Sequence, residues 1–211
     1  MSLIILCVGK SAKAPGGLYN SAEFDAAMAS LHSSEMVSHV ERQINADGRI
    51  LLLGEGRLAR STVEKALMPM PFLIEPLLND IQVRSFNDSA KRIPFEKWVK
   101  KAAQQRRSGD PRQPETRADV IRRADLLIEK LESDYQNAFL ISYPIFLSEL
   151  LDRFRIHNYV IQRTGLFRIE PLERIVVSRK DEHCGGCQHN CFLSNPGCGI
   201  GRDKAMRKRR R

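Results

Sequence analysis

The chain has 211 residues, of which 42% are hydrophobic and 28% charged, and its formal net charge is +9. This is ordinary composition for a globular chain with one sizeable core. No stretch approaches the roughly 18 consecutive apolar residues of a membrane-spanning helix, and no internal repeat is visible. The charge is concentrated, since the last ten residues, RDKAMRKRRR, hold seven Lys/Arg and one Asp.

Leu3 to Val8 is a continuous apolar run ended by Gly9, the pattern of a buried strand. A loop with Pro15-Gly16-Gly17 follows, and then residues 22–44 carry apolar side chains at helical spacing, including Phe24, Met28, Leu31, Val37, Val40 and Ile44. Asp47-Gly48 marks a turn before a second buried strand, Ile50 to Leu53. Residues 59–67 read as a helix stopped by Pro69 and Pro71, and Phe72 to Ile74 as a third strand. Amphipathic helices are expected over 93–106 and 117–131, with QQRRSGDPRQP as an exposed loop between them. Ala138 to Ile141 is another buried strand, and residues 145–154 another helix. Two more polar runs, 158–162 and 167–177, complete the unit. Buried strands alternating with helices predict an α/β fold with a mostly parallel sheet and helices on both faces.

Four segments place polar or reactive residues where such strands end: Cys7-Val8-Gly9-Lys10, LLLGEGRLARST, PETRADVIRRADLLIEKLE, and AFLIS followed by Tyr143-Pro144. In this order, over roughly residues 3–177, the chain resembles the histidine phosphatase superfamily, to which the phosphoglycerate mutases belong. The resemblance implies a three-layer, phosphoglycerate mutase-like sandwich. Family members open with a strand running into Arg-His-Gly, whose histidine takes the phosphoryl group; here only Gly9 matches, and Val8 stands at the histidine's place. In the family's second motif Ala59 and Thr62 match, while Leu58 occupies the arginine's slot between Arg57 and Arg60. Glu115 and Thr116 take the places of a Glu-Ser pair, and Arg122 or Arg123 that of a later arginine. Ser142 matches at the fourth segment, where Tyr143 replaces the second catalytic histidine.

These departures predict that phosphohistidine chemistry is absent, because that chemistry needs a nucleophilic imidazole and cations around the transferring group. None of His32, His39, His157, His183 and His189 falls at either strand end. Lys10, Arg57, Arg60, Glu115 and Tyr143 are then candidates for a surviving pocket that binds a phosphorylated small molecule without reacting. The nine Lys/Arg between Lys97 and Arg123 would form a basic rim to such a pocket, although on composition alone they read as solvated helix faces. Cys7 reads as a small buried hydrophobe rather than a nucleophile. A phosphatase or phosphomutase with a non-standard active site is the alternative.

Cys184, Cys187, Cys191 and Cys198 lie within fifteen residues in the spacing C-x2-C-x3-C-x6-C. Gly185 and Gly186 permit a tight knuckle, Asn195-Pro196-Gly197 reads as a turn, and Phe192 and Leu193 are the only large apolar side chains between the cysteines. Such a segment needs a staple, and four thiolates suit zinc or an iron–sulfur cluster. His183 and His189 read as solvated or hydrogen-bonded to the thiolates, and Arg179, Lys180, Arg202 and Lys204 would offset the negative charge of a four-thiolate zinc site. An iron–sulfur cluster would make the chain a redox or sensor protein. Disulfides fit less well, because the opening MSLIILCVGKSAKA has no basic residue before a short apolar run and so predicts a cytoplasmic protein. The expected organisation is an α/β domain over 1–178, a cysteine-rich metal-binding module over 179–201, and a basic arm over 202–211 able to contact nucleic acid by charge alone.

Overall fold

The computed structural model describes residues 1–12, 15–37, 40, 43–165 and 168–180. The C-terminal cysteines and the basic arm therefore lie outside the described residues. The strands are β1 (Ser2–Cys7), β2 (Leu18–Tyr19), β3 (Ile50–Leu53), β4 (Phe72–Ile74), β5 (Ile93–Pro94), β6 (Ala138–Ser142), β7 (Tyr159–Gln162) and β8 (Arg174–Arg179). The helices are α1 (Ser21–His32), α2 (Arg57–Ala66), α3 (Phe95–Ser108), α4 (Arg117–Asp134) and α5 (Pro144–Ile156), with a 3-10 turn at Pro76–Leu78.

Six strands form one sheet in the order β4-β3-β6-β1-β8-β7. β1, β3, β4 and β6 pair in parallel, while β8 runs antiparallel to both β1 and β7. The mostly parallel α/β sheet expected from the alternation of elements is thus present. In β1, β3 and β6 consecutive residues are buried, which requires cover on both faces and explains why their sequences run apolar without alternating. Leu58 and Val63 of α2, Val120 and Leu127 of α4, and Phe146 and Leu150 of α5 join those strands in one core.

Three expectations need correction. The helical pattern over 22–44 yields a helix only as far as His32. The hydroxyls of Ser33 and Ser34 donate back to the carbonyls of Ala29, Ser30 and Leu31, a local alternative to the next helical turn. Met36 and Ile44 then reach the core from extended chain, bridging to Ser11 and Leu67. Ile93 and Pro94 form a short strand against Leu18–Tyr19 instead of opening a helix, and α3 starts only after Pro94. The QQRR of the expected loop belongs to α3, which ends where Gly109 adopts a left-handed φ of 75°. The remainder is not a solvated loop either, since Gln113 is buried and ties the backbone of Arg84 to the side chain of Gln105.

A second, smaller cluster packs beside the main core. Trp98 of α3 stacks on Phe24 of α1 at 5.5 Å and touches Phe86 at 4.6 Å, and Phe95 meets both Phe24 and Tyr19. The indole N–H donates to the Tyr19 carbonyl at 2.8 Å. Capping boxes start α1 (Asn20 with Glu23) and α4 (Thr116 with Asp119). The aromatic cluster thereby fixes α1 above one end of the sheet. Trp98→Ala is expected to cost about 3–5 kcal/mol, against less than about 0.5 kcal/mol for Leu126→Ala at an exposed site of α4, both read by chemical denaturation.

Candidate functional site

Register sets the location. Cys7 of β1 faces Ser142 of β6, and Leu53 of β3 faces Ile141. Residues 8–10, 54–57 and 143–144 therefore emerge side by side at one edge, the carboxyl end of the parallel strands, where sheets of this kind place ligands.

At the end of β1 the chain is sealed. Val8 is buried, and its N–H donates to the Ser142 carbonyl at 2.9 Å. The Gly9 N–H donates to Thr62 Oγ1 at 3.1 Å, and the Thr62 hydroxyl donates to the Leu58 carbonyl at 2.7 Å. A methyl group added to Gly9 would land on the sulfur of Met36, so Met36 lies directly over this backbone. Met36 is itself held, its N–H donating to Ser61 Oγ at 2.8 Å and its carbonyl accepting from Lys65 Nζ at 2.7 Å.

The second filled position is the N-terminus of α2. Gly56 is the N-cap and offers no side chain to the free amides of the first turn. The Tyr143 hydroxyl fills that place: a methyl group on Gly56 would coincide with it, and the Ala59 amide donates toward it. Burial, with Asp80 adding to it, pushes the Tyr143 phenol up to about 12. At neutral pH it is a neutral hydroxyl at a helix end that would otherwise attract an anion.

Beside Tyr143 opens a cavity of about 600 Å³, within the usual range of small-molecule sites. α1 supplies Asp25, Met28, Ala29 and His32; the segment after the 3-10 turn supplies Asn79, Asp80, Val83 and Arg84. Glu55, Gly56, Gln82 and Pro114 complete the wall. His32 Nδ1 lies 3.5 Å from Asp80 Oδ2. Burial pushes the Asp80 carboxyl up to about 6, although His32, the Ile81 amide, Arg123 and Arg106 all favour its charged form. Asp25 accepts from both the amide and the hydroxyl of Ser85, and Glu55 accepts from Asn79 Nδ2 at 3.0 Å.

The five residues expected to share a pocket are dispersed. Tyr143 alone lines the cavity. Lys10 is exposed, and its carbonyl accepts from Val37. Arg57 pairs with Glu35, and both Arg57 and Arg60 line a separate surface depression together with Glu35, Glu55 and Glu64. Glu115 grips Arg123 through two bonds, at 2.7 and 3.0 Å. Arg123 also donates to the carbonyls of Leu77 and Asn79 and lies 4.2 Å over the Phe146 ring. The Glu115–Arg123 pair is thus a brace between α4 and the loop that carries Asp80. Cys7 is buried, and burial with Glu173, Asp80 and Glu170 pushes its thiol up to about 12, far from the thiolate a nucleophile requires.

Asp25, His32, Asp80 and Arg84 belong to no motif in the sequence. Nothing local marks Asp80 in LLNDIQV, and His32 falls at neither strand end of the family pattern. Among the described residues no group of three or more His, Cys, Asp or Glu is placed to hold a metal ion, and no helix is long and apolar enough to cross a membrane.

No protein-family model matches the chain, and no curated protein sequence matches it. Among solved structures it is similar to one described as a putative alpha-ribazole-5'-P phosphatase from Escherichia coli, with 18% identity and a TM-score of 0.47 over 73% of this chain and 79% of that one. It is also similar to the product of open reading frame Rv3214 of Mycobacterium tuberculosis, with 13% identity and a TM-score of 0.44 over 83% of this chain and 89% of that one. No residue role is carried over from either.

The close approach at Gly56 makes a direct test of this geometry. Gly56→Ala is expected to destabilise the protein by about 1–3 kcal/mol. Removing the hydroxyl in Gly56→Ala/Tyr143→Phe should recover part of that loss, as a non-additive term in a double-mutant cycle.

Proposed function

We propose that this chain is a ligand-binding protein on a histidine-phosphatase-like α/β scaffold, with no phosphohistidine chemistry and with a metal site in its C-terminal cysteines. The observation that carries the reading is the sealed end of β1, where Val8 is buried beside a Gly9 covered by the Met36 sulfur. An in-line phosphoryl transfer needs an open nucleophile at that position and cations around the transferring group. The side chain at position 8 has no nucleophilic atom, and Arg57 and Arg123 are engaged by Glu35 and Glu115. The neighbouring cavity, open and lined by polar groups on an apolar wall, is the ligand site.

A second reading, a hydrolase using other residues, draws on the His32–Asp80 pair, since an imidazole beside a carboxyl that burial pushes up to about 6 suits general acid–base work. The two readings separate in one assay. The proposed binding protein gives no turnover of p-nitrophenyl phosphate between pH 5 and 8 and forms no phosphoenzyme. Turnover abolished by both His32→Ala and Asp80→Asn would establish the hydrolase instead.

Cys184, Cys187, Cys191 and Cys198 are proposed to hold zinc or an iron–sulfur cluster, on the strength of their spacing. Inductively coupled plasma mass spectrometry on anaerobically purified protein, read with its absorption spectrum, tests this. Near-stoichiometric zinc without visible bands, or several irons per chain with them, is the expected result, and Cys187→Ser should lower that content while the α/β unit stays folded. Metal-free protein would refute the site.

A further inference from the structure

The cavity beside Tyr143 has the wrong charge for a phosphate. Three carboxylates line it, Asp25, Glu55 and Asp80, against Arg84 and the imidazole of His32. A further arginine, Arg123, is committed to Glu115 and to the carbonyls of Leu77 and Asn79. The helix end that would attract an anion is covered by the Tyr143 hydroxyl. An entering phosphate would therefore meet like charge without a compensating clamp, and like charges in a partly desolvated site repel strongly. Tyr143 is only 3% exposed yet lines the cavity, offering a fixed hydroxyl at its floor. Met28, Ala29, Val83 and Pro114 supply its apolar lining.

We propose that this cavity binds a small organic cation, an amine or amidine carried on an apolar body, with its charged head against Asp80 and its body against Met28 and Val83. The proposal rests on the ligand-binding reading and names the chemical class of the ligand. Asp80 is the anchor because Asp25 commits both of its carboxylate oxygens to Ser85 and Glu55 is exposed. Asp25 is tied to Ser85 and Glu55 to Asn79, while Asp80 has its own neighbouring amide at Ile81 and a His32 contact of 3.5 Å. The groups facing it are His32 from α1, Arg106 from α3, Arg123 from α4, Tyr143 after β6 and Cys7 from β1. Its carboxyl, pushed up to about 6 by burial, is ionised at pH 7.5 and protonated at pH 5, so affinity for a cation falls across that interval.

The test is a titration of the full chain with benzamidine hydrochloride and, separately, with inorganic phosphate and phenyl phosphate, followed on the methyl resonances of Met28 and Ala29. Saturable shifts with benzamidine alone are expected. Its Kd should rise at least tenfold in Asp80→Asn, rise similarly in the unmutated protein between pH 7.5 and 5, and stay level in Glu129→Gln, an exposed site on α4. The pH series needs no substitution and so stands if Asp80→Asn does not fold. If either phosphate saturates the same methyls and benzamidine does not, the cation proposal is wrong while the ligand-binding reading survives. Hydrolysis of phenyl phosphate would overturn that reading as well, and absence of shifts with all three probes overturns the proposal.

Discussion

β1 is gripped on both sides, and the rest of the site depends on that. It pairs in parallel with β6 from Ile4 to Cys7 and antiparallel with β8 from Ser2 to Leu6. Both of its faces are buried. A strand fixed in this way cannot slip by one residue, because a slip would turn every side chain to the other face. The register therefore brings residue 8, the segment after Leu53 and Tyr143 to a common edge. What stands at those positions is decided by sequence; that they meet is decided by hydrogen bonding.

Two glycines then determine how closely that edge is filled. At Gly9 the missing side chain lets Met36 lie on the backbone, and at Gly56 it lets the Tyr143 hydroxyl reach the first turn of α2. Each contact replaces what would otherwise be solvent or ligand with a group from the chain itself. Methionine is suited to the first position because its unbranched thioether fits irregular gaps. Tyrosine is suited to the second because its ring packs in the core while its hydroxyl meets the amide end of a helix. The consequence is that both places are filled from within the chain, and the neighbouring cavity opens beside α1.

The fold was legible because it depends on runs and periods. The apolar runs of β1, β3 and β6, the strand at Phe72–Ile74, and the helices at Arg117 and Pro144 all appear where continuous or 3.6-residue patterns place them. The pattern over 22–44 misled because Met36 and Ile44 reach the core for a different reason, as bridge residues of extended chain, and their spacing from Phe24 only mimics a helix face. The basic run before Pro111 looked solvated, yet Arg106 is buried and Gln113 acts as an internal tie. The cavity was less legible still. It is assembled from α1, the segment after the 3-10 turn and the end of β6, so its acids, Asp25, Glu55 and Asp80, are far apart in the chain with no local motif joining them. Arg57 and Glu115 are candidates by sequence pattern alone, and ion pairs with Glu35 and Arg123 engage them.

Asp80 shows why such claims matter energetically. A buried carboxylate is tolerated when a cation or several N–H groups replace its water. The structure has the cation close by, in Arg123, but commits it to Glu115 and two backbone carbonyls. That choice rigidifies the loop holding Asp80 and leaves His32, 3.5 Å away, as its ion-pair partner. Pairing Arg123 directly with Asp80 would have satisfied the acid and closed the cavity to any further cation. Holding the loop by its backbone instead keeps the carboxylate on the cavity wall, where a group of opposite charge entering the cavity meets it.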